Sequence, residues 1–265
     1  MDPIEQFKAN QKVVWSGFAP IENFTALGAP RLVRFAGIRP GSKVLDVGCG
    51  TGVVAITAAR GGAKVTGLDL TPELVARAKE NIALAMVEID LHEGDAEALP
   101  FADGIFDVVV STYGCMFTPD HSRTASEMLR VTRPGGRIGM ANWTPQGFIG
   151  RLFKVIGAHV PPPAGLKSPA LWGTEAHVAA LFGGAAADVR CERKHFNFRY
   201  RSAAHWLQVF RDFYGPTHKA FAALDVAGQA ALERDITALL LELNVAGEAS
   251  LVVPGEYLEV VIAKR

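Results

Sequence analysis

Three glycines at alternate positions, Gly48, Gly50 and Gly52, follow Asp46 in the run KVLDVGCGTGVV (43–54), and a second aspartate, Asp69, lies in the next apolar run, KVTGLDL (64–70). Glycines this dense behind an apolar segment mark a turn that another group approaches too closely for side chains. Where such a turn opens a helix, its amides suit a small anionic or zwitterionic group. A carboxylate ending the neighbouring strand has two acceptor oxygens, the number that the paired hydroxyls of a ribose require. Turn and acid together imply a nucleoside ligand. A dinucleotide-binding turn, G-x-G-x-x-G, would need glycine at position 53; this chain has Val53, and its third glycine comes one residue early.

A second set of candidates is aromatic and imidazole-bearing. Trp143, Trp172, His195, Tyr200, His205, Trp206, Phe210, Tyr214 and His218 crowd the second half of the chain. They are either the walls of a pocket for an aromatic or apolar molecule or the core of a cap packed on a sheet. Trp15 and Phe24 offer the same two readings near the N-terminus, as pocket residues or as staples for the segment that carries them. Tyr113, in STYGCMF (111–117), joins the pocket candidates. His121 follows Pro119 and Asp120 at a helix start; its imidazole titrates near neutrality and makes it the candidate general base, with a local helix-start role as the alternative. Cys49, Cys115 and Cys191 are scattered without metal-ligand spacing, which predicts reduced thiols and no metal site.

The elements that position these residues alternate regularly. KVLDV (43–47), KVTGLDL (64–70), VEIDLHEGD (87–95), FDVVVST (106–112) and GGRIGMANW (135–143) read as strands, the last behind the Pro134-Gly135-Gly136 turn. Between them VVAITAARGG, TPELVARAKENIALA and RTASEMLRVT read as helices, the second with Thr71 as N-cap and Pro72 at its first position. This rhythm predicts an α/β fold with an open, mostly parallel sheet and helices on both faces. After Trp143 it breaks into a helical segment, a proline-rich connector, a strand VRCERKHFNFRY (189–200), two amphipathic helical patterns and a closing strand EYLEVVIAKR.

Composition narrows the partners. The chain has 265 residues, 49% hydrophobic, and its 27 Lys plus Arg balance 27 Asp plus Glu, so no net field draws it to nucleic acid or an anionic bilayer. The opening residues carry no basic and apolar leader pattern, and no run of some eighteen apolar residues occurs; a cytoplasmic protein acting on a small molecule is the expectation.

The pattern D-x-G-x-G-x-G at 46–52 closely resembles the first motif of the class I S-adenosylmethionine-dependent methyltransferases. The likeness extends through Asp69, GDAEALPF (94–101), FDVVVSTYGCMF (106–117) and LRVTRPGGRIGMANW (129–143), covering roughly residues 40–143. Within the family the chain is most similar to the small-molecule branch that includes the ubiquinone and menaquinone C-methyltransferases. The resemblance implies a Rossmann-like, doubly wound, seven-stranded sheet with a reversed last strand and an inserted helical cap. It implies S-adenosyl-L-methionine as cofactor, S-adenosyl-L-homocysteine as product, and Gly48, Gly50 and Gly52 along the methionine and ribose side. Asp69 would hold the ribose, Leu70 would pack on the adenine, Asp95 and the Ala96 amide would meet its edge, and Ser111 and Thr112 would lie near the methionine ammonium. Asp46 would organise the glycine turn. Trp15, Tyr113, Trp143, His205, Trp206 and Tyr214 would face a small organic acceptor, aromatic or apolar. Residues 1–40 would cover the cofactor, 41–144 form its binding core, 145–250 cap the acceptor site and 251–265 supply the last strand. STYGCMF differs from the Asn-Pro-Pro-Tyr type of motif that accompanies methylation of planar amino groups, which argues against a nucleobase amino acceptor. A nicotinamide-dependent oxidoreductase and a cofactor-binding regulator without transferase activity are the alternatives.

Overall fold

In the computed structural model, which describes residues 3–265, β1 (Lys43–Val47) is buried over four of its five residues. Its side chains alternate between two apolar layers. Val44 joins Ala29, Leu32 and Ala55 on one face, while Leu45 and Val47 join Leu68, Met128 and Ile138 on the other. That two-sided burial is what a central parallel strand requires.

Three helices precede the sheet: α1 (Pro3–Ser16), α2 (Asn23–Ala26) and α3 (Ala29–Phe35). After β1 come α4 (Val53–Arg60), β2 (Lys64–Asp69), α5 (Pro72–Ala85), β3 (Ile89–Glu93), β4 (Phe106–Thr112), α6 (His121–Val131) and β5 (Thr132–Trp143). The second half holds α7 (Phe148–His159), α8 (Glu175–Phe182), β6 (Ala186–Tyr200), α9 (Ala203–Phe213), α10 (Gly215–Ala222), α11 (Val226–Leu243) and β7 (Leu251–Lys264). The seven strands form one sheet in the order β3-β2-β1-β4-β5-β7-β6. β1, β2, β3, β4 and β5 pair in parallel, and β7 runs antiparallel to both β5 and β6. The strand order reverses between β1 and β4, and the crevice beyond their C-terminal ends is where such a sheet binds ligands.

Two local expectations change. β5 begins before the Pro134-Gly135-Gly136 turn, at Thr132, because those residues form an irregularity between the pairs Phe106–Thr132 and Val108–Arg137. Thr71 stands at the N-cap position of α5 with extended backbone, yet its hydroxyl makes no capping bond. Its amide instead donates to Asp69 Oδ1 at 2.9 Å.

The second half does not stand apart from the first. α10 and α7 touch each other, α10 also touches α1, and α9 meets the 3-10 turn Ala19–Ile21. The N-terminal helices and the α9–α10 corner therefore close over the same end of the sheet. All three cysteines are free thiols, Cys49 and Cys115 buried. No helix among the described residues is long and apolar enough to cross a membrane.

Candidate active site

A cavity lies at the C-terminal ends of β1, β2 and β4, walled by the glycine turn, by the loops after β3 and β4, by Trp143 at the end of β5, and by α1 and α2. Of the residues expected to meet the cofactor, Asp46, Gly48, Gly50 and Asp69 line it, as do Leu70, Asp95, Ala96 and Thr112.

The three glycines have three different reasons. Gly48 (φ +66°) lies against Gly114: a Cβ on Gly48 would stand 3.0 Å from Gly114 Cα, and one on Gly114 would stand 2.6 Å from the Gly48 carbonyl oxygen. This pair lets the loops after β1 and β4 touch. Gly52 (φ +86°) turns the chain into α4 and does not line the cavity. Gly50 (φ +54°) is the one whose Cβ would meet nothing within 4 Å. The space a side chain would fill is left to the cavity.

The amides of this turn are not the expected anion cradle. Gly48 N and Cys49 N donate to the Leu68 carbonyl at 2.8 and 3.0 Å, Gly52 N to the Cys49 carbonyl at 2.9 Å, and Gly50 N to Asp69 Oδ2 at 2.8 Å. The protein's own acceptors consume these donors, so the turn offers room and shape. Asp46 is a structural acid: its Oδ2 accepts from Ala55 N at 3.0 Å, tying β1 to the start of α4. Burial pushes its carboxyl up to about 7, against the pull of that amide and with the charge of Asp69 adding to the rise.

Asp69 carries one backbone N–H on each oxygen, from Thr71 and Gly50. Burial raises its pKa, while the Thr71 and Gly50 amides, the Thr71 hydroxyl and the Leu70 amide oppose the rise. Both oxygens are acceptors, and a pair of ribose hydroxyls would share them with these donors. Apolar Leu70, Leu74, Val53 and Ala96 stand around it, as a flat purine needs. An adenosyl group therefore fits this end, with Asp69, Gly50, Leu70 and Ala96 the residues that would hold it.

Asp95 is engaged in a way that local pattern does not reveal. Lys8 of α1 donates to Asp95 Oδ2 at 2.6 Å and sits 2.7 Å from Glu97 Oε2, while Lys12 reaches Glu93 at 2.8 Å. Burial lowers the Lys8 pKa, but hydrogen bonds and charge from Asp95 and Glu97 outweigh it and the net shift is upward. The helix is thereby pinned beside the adenosyl end.

Trp15, Tyr113, Trp143 and Tyr214 line the other part of the cavity, joined by Phe24 and Phe117. Tyr113 stacks on Trp143 at 4.1 Å and 7°, and Trp15 meets Phe117 at 4.7 Å and Tyr214 at 5.7 Å edge to face. Tyr113 adopts φ +56°, a left-handed conformation uncommon outside glycine, and that backbone turn carries its ring onto Trp143.

Other candidates lie elsewhere. His121 does not line the cavity. It is buried, its Nδ1 lies 2.9 Å from His177 Nε2, and its ring leans on Trp172 at 5.4 Å. Burial, then the charges of His177 and Lys167, lower its pKa to about 4. The alternative, a helix-start role, is its place: Asp120 caps α6 by accepting from Arg123 N at 2.9 Å, and His121 follows it as the first helical residue. Trp206 is a core residue, fully buried and stacked on Phe210 at 3.9 Å. His205 packs on Tyr200 and takes a hydrogen bond from Arg201 N, away from the cavity. Ser111 is buried behind the wall, where its hydroxyl accepts from Cys115 N at 3.0 Å. The glycine–glycine approach of Gly48 and Gly114, the Lys8 pairing and the Phe117 wall are set by contacts distant in the chain. Gly114 alone has a local signal, a glycine two residues beyond the end of the fourth strand.

An open parallel sheet with a reversed strand β7, a glycine turn after β1 and an acid ending β2 defines a nucleoside-cofactor-binding protein of the doubly wound class. A family model described as a methyltransferase domain matches residues 45–140. The uncharacterized protein Rv1403c of Mycobacterium tuberculosis is 43% identical over 225 residues, 83% of this chain and 82% of its own. A demethylmenaquinone methyltransferase of Bacillus cytotoxicus is 39% identical over 110 residues, 40% of this chain and 46% of its own. In fold, the YcgJ protein of Bacillus subtilis superposes with a TM-score of 0.62 at 18% identity, over 90% of this chain and 98% of that one. The chain belongs to the class I S-adenosylmethionine-dependent methyltransferases, and S-adenosylmethionine is its cofactor.

Proposed function

We propose that this methyltransferase acts on a small, planar, largely apolar acceptor that enters the aromatic part of the cavity. The observation that carries the reading is the continuity of that part with the adenosyl end. Asp69 ends β2 and Asp95 follows β3, whereas Tyr113 follows β4 and Trp143 ends β5. β2 and β5 are three strand spacings apart in this sheet, about 14 Å, which suits a cofactor and an acceptor laid end to end.

S-adenosylmethionine, when bound, supplies an electrophilic methyl group on a sulfonium centre, so the chain has to hold the reactants in line. Asp69 fixes the ribose, Gly50 leaves room beside it, and Lys8 and Lys12 pin α1 across the adenosyl end. Trp15, Phe24, Trp143 and Tyr214 exclude water and orient the acceptor's ring face. Proximity and orientation supply the acceleration in this reading, and His121 takes no part. The Bacillus cytotoxicus relative is a demethylmenaquinone methyltransferase, which makes demethylated quinones the first acceptors to try.

The test is transfer of isotopically labelled methyl from the cofactor to a panel of phenols, quinones, amines and thiols. Turnover concentrated in planar aromatic compounds supports the reading. Turnover only of aliphatic amines or thiols refutes it.

A further inference from the structure

Among the described residues, the charged side chains that line the cavity are Lys8, Asp46, Asp69 and Asp95, and all four belong to its adenosyl end. Lys8 is already neutralised by two carboxylates. The aromatic end is lined by neutral groups, and one of them is an unsatisfied hydroxyl: Tyr214 OH is buried without a hydrogen-bond partner. A buried hydroxyl without a partner forfeits its hydrogen bonds to water and is seldom left so unless something else completes it.

Tyr214 is 2% exposed and held rigidly. Its ring packs on Phe210 at 5.0 Å, on Trp15 at 5.7 Å and on Phe24 at 6.3 Å. It stands at the junction between α9 and α10, where extended backbone ends one helix and Pro216 enters the next. Burial raises its phenol well above the ordinary value, so it stays protonated and offers a donor.

We propose that the Tyr214 hydroxyl is the specificity-determining group of the acceptor site, hydrogen-bonding an oxygen carried by an uncharged planar acceptor that packs against Trp15 and Phe24. This rests on the aromatic-acceptor reading above and adds what that reading leaves open: an oxygen on the ring system, and no net charge. An aromatic box can also hold a cation over its ring faces. The idle donor on Tyr214 favours an oxygen, because an ammonium has no lone pair to accept its proton.

The experiment measures binding to the full chain saturated with S-adenosylhomocysteine, by calorimetry, with three naphthalene probes, the first two of one shape. They are 2-acetylnaphthalene, 2-isopropenylnaphthalene, which lacks the oxygen, and 2-naphthyltrimethylammonium. The wild type is expected to prefer 2-acetylnaphthalene to its hydrocarbon counterpart about tenfold, and Tyr214→Phe to abolish that preference while leaving S-adenosylhomocysteine affinity unchanged. Tyr214→Phe should melt at or above the wild type, since it removes a hydroxyl that has no internal partner. Four results overturn the proposal: no preference in the wild type, a preference that survives Tyr214→Phe, tightest binding of the ammonium probe, or a loss of S-adenosylhomocysteine affinity in the variant. Failure of the first two probes to bind the wild type refutes the aromatic-acceptor reading itself, whereas equal binding of the two refutes only the role of Tyr214.

Discussion

Adding a single methyl group at Gly50 separates the role of ligand space from that of chain folding. An L-residue in left-handed backbone costs about 1–2 kcal/mol. Gly50→Ala pays that cost at φ +54°, and its Cβ meets nothing within 4 Å. At roughly 2–4 °C per kcal/mol for a chain of this size, its melting temperature should fall by about 2–8 °C. Gly48→Ala pays the same backbone cost and also drives its Cβ to 3.0 Å from Gly114 Cα and 3.3 Å from Gly114 C, which are backbone atoms that cannot swing aside. Overpacking adds about 1–3 kcal/mol, for a total of about 2–5 kcal/mol. Cofactor binding should rank the two differently. If the void beside Gly50 belongs to the ligand, Gly50→Ala transfers the overpacking cost to the complex, and S-adenosylhomocysteine affinity should drop about tenfold to a hundredfold. Thermal unfolding and titration calorimetry on both variants make the check. Gly50→Ala binding S-adenosylhomocysteine with wild-type affinity, or melting as low as Gly48→Ala, would refute the reasoning.

Asp69→Asn puts an amide donor opposite either Gly50 N or Thr71 N, so it should cost about 1–3 kcal/mol of stability and at least tenfold in S-adenosylhomocysteine affinity; retained affinity by calorimetry removes Asp69 from the ribose. His121→Ala should leave kcat within a few-fold and the acidic limb of the pH–rate profile in place; a hundredfold loss with that limb abolished would restore it as a base. Its titration should instead register in stability. The folded pKa, about 4, lies below the ordinary 6.5, so the native state binds fewer protons than the unfolded chain, and stability complete above pH 6.5 is lost as pH falls towards 4. The loss should reach about 2 kcal/mol after allowance for solvent screening, read as a drop in denaturation midpoint that His121→Phe flattens. Lys8→Met should speed S-adenosylhomocysteine dissociation several-fold by freeing α1; an unchanged off-rate in stopped flow would show that the helix does not retain the cofactor. Trp206→Ala should destabilise by about 3–5 kcal/mol, since it empties a fully buried site stacked on Phe210, and leave the affinity of the folded protein for S-adenosylhomocysteine intact by calorimetry.

What could be read from the chain and what could not divides by the range of the interactions. The alternation from β1 to β5 is written in local periodicity, and so is the glycine turn, because strand burial and left-handed backbone are decided within a few residues. Partners are decided at long range. Asp95 meets Lys8 across 87 positions, and Gly48 owes its missing side chain to Gly114, a residue that no spacing rule connects to it. The amides of the turn looked available because the acceptors that consume them, Leu68 O and Asp69 Oδ2, become neighbours only once β2 pairs with β1.

Trp206 and Tyr214 show the same limit within a single helix. Eight residues apart on and just beyond α9, both belong to an apolar pattern, and periodicity correctly turns both inward. Eight residues also amount to about 12 Å of rise along a helix. Trp206 is carried into the contact with Phe148 and Phe210, while Tyr214, at the C-terminal end, arrives beside Trp15 on the cavity wall. A hydrophobic pattern records which way a side chain faces; how far along the axis the cavity reaches is set by α1, whose placement depends on Lys12 finding Glu93 at the end of β3 and Lys8 finding Asp95 and Glu97 just beyond it. Any substitution that moves α1 should therefore alter the acceptor site through Trp15 before it alters the fold.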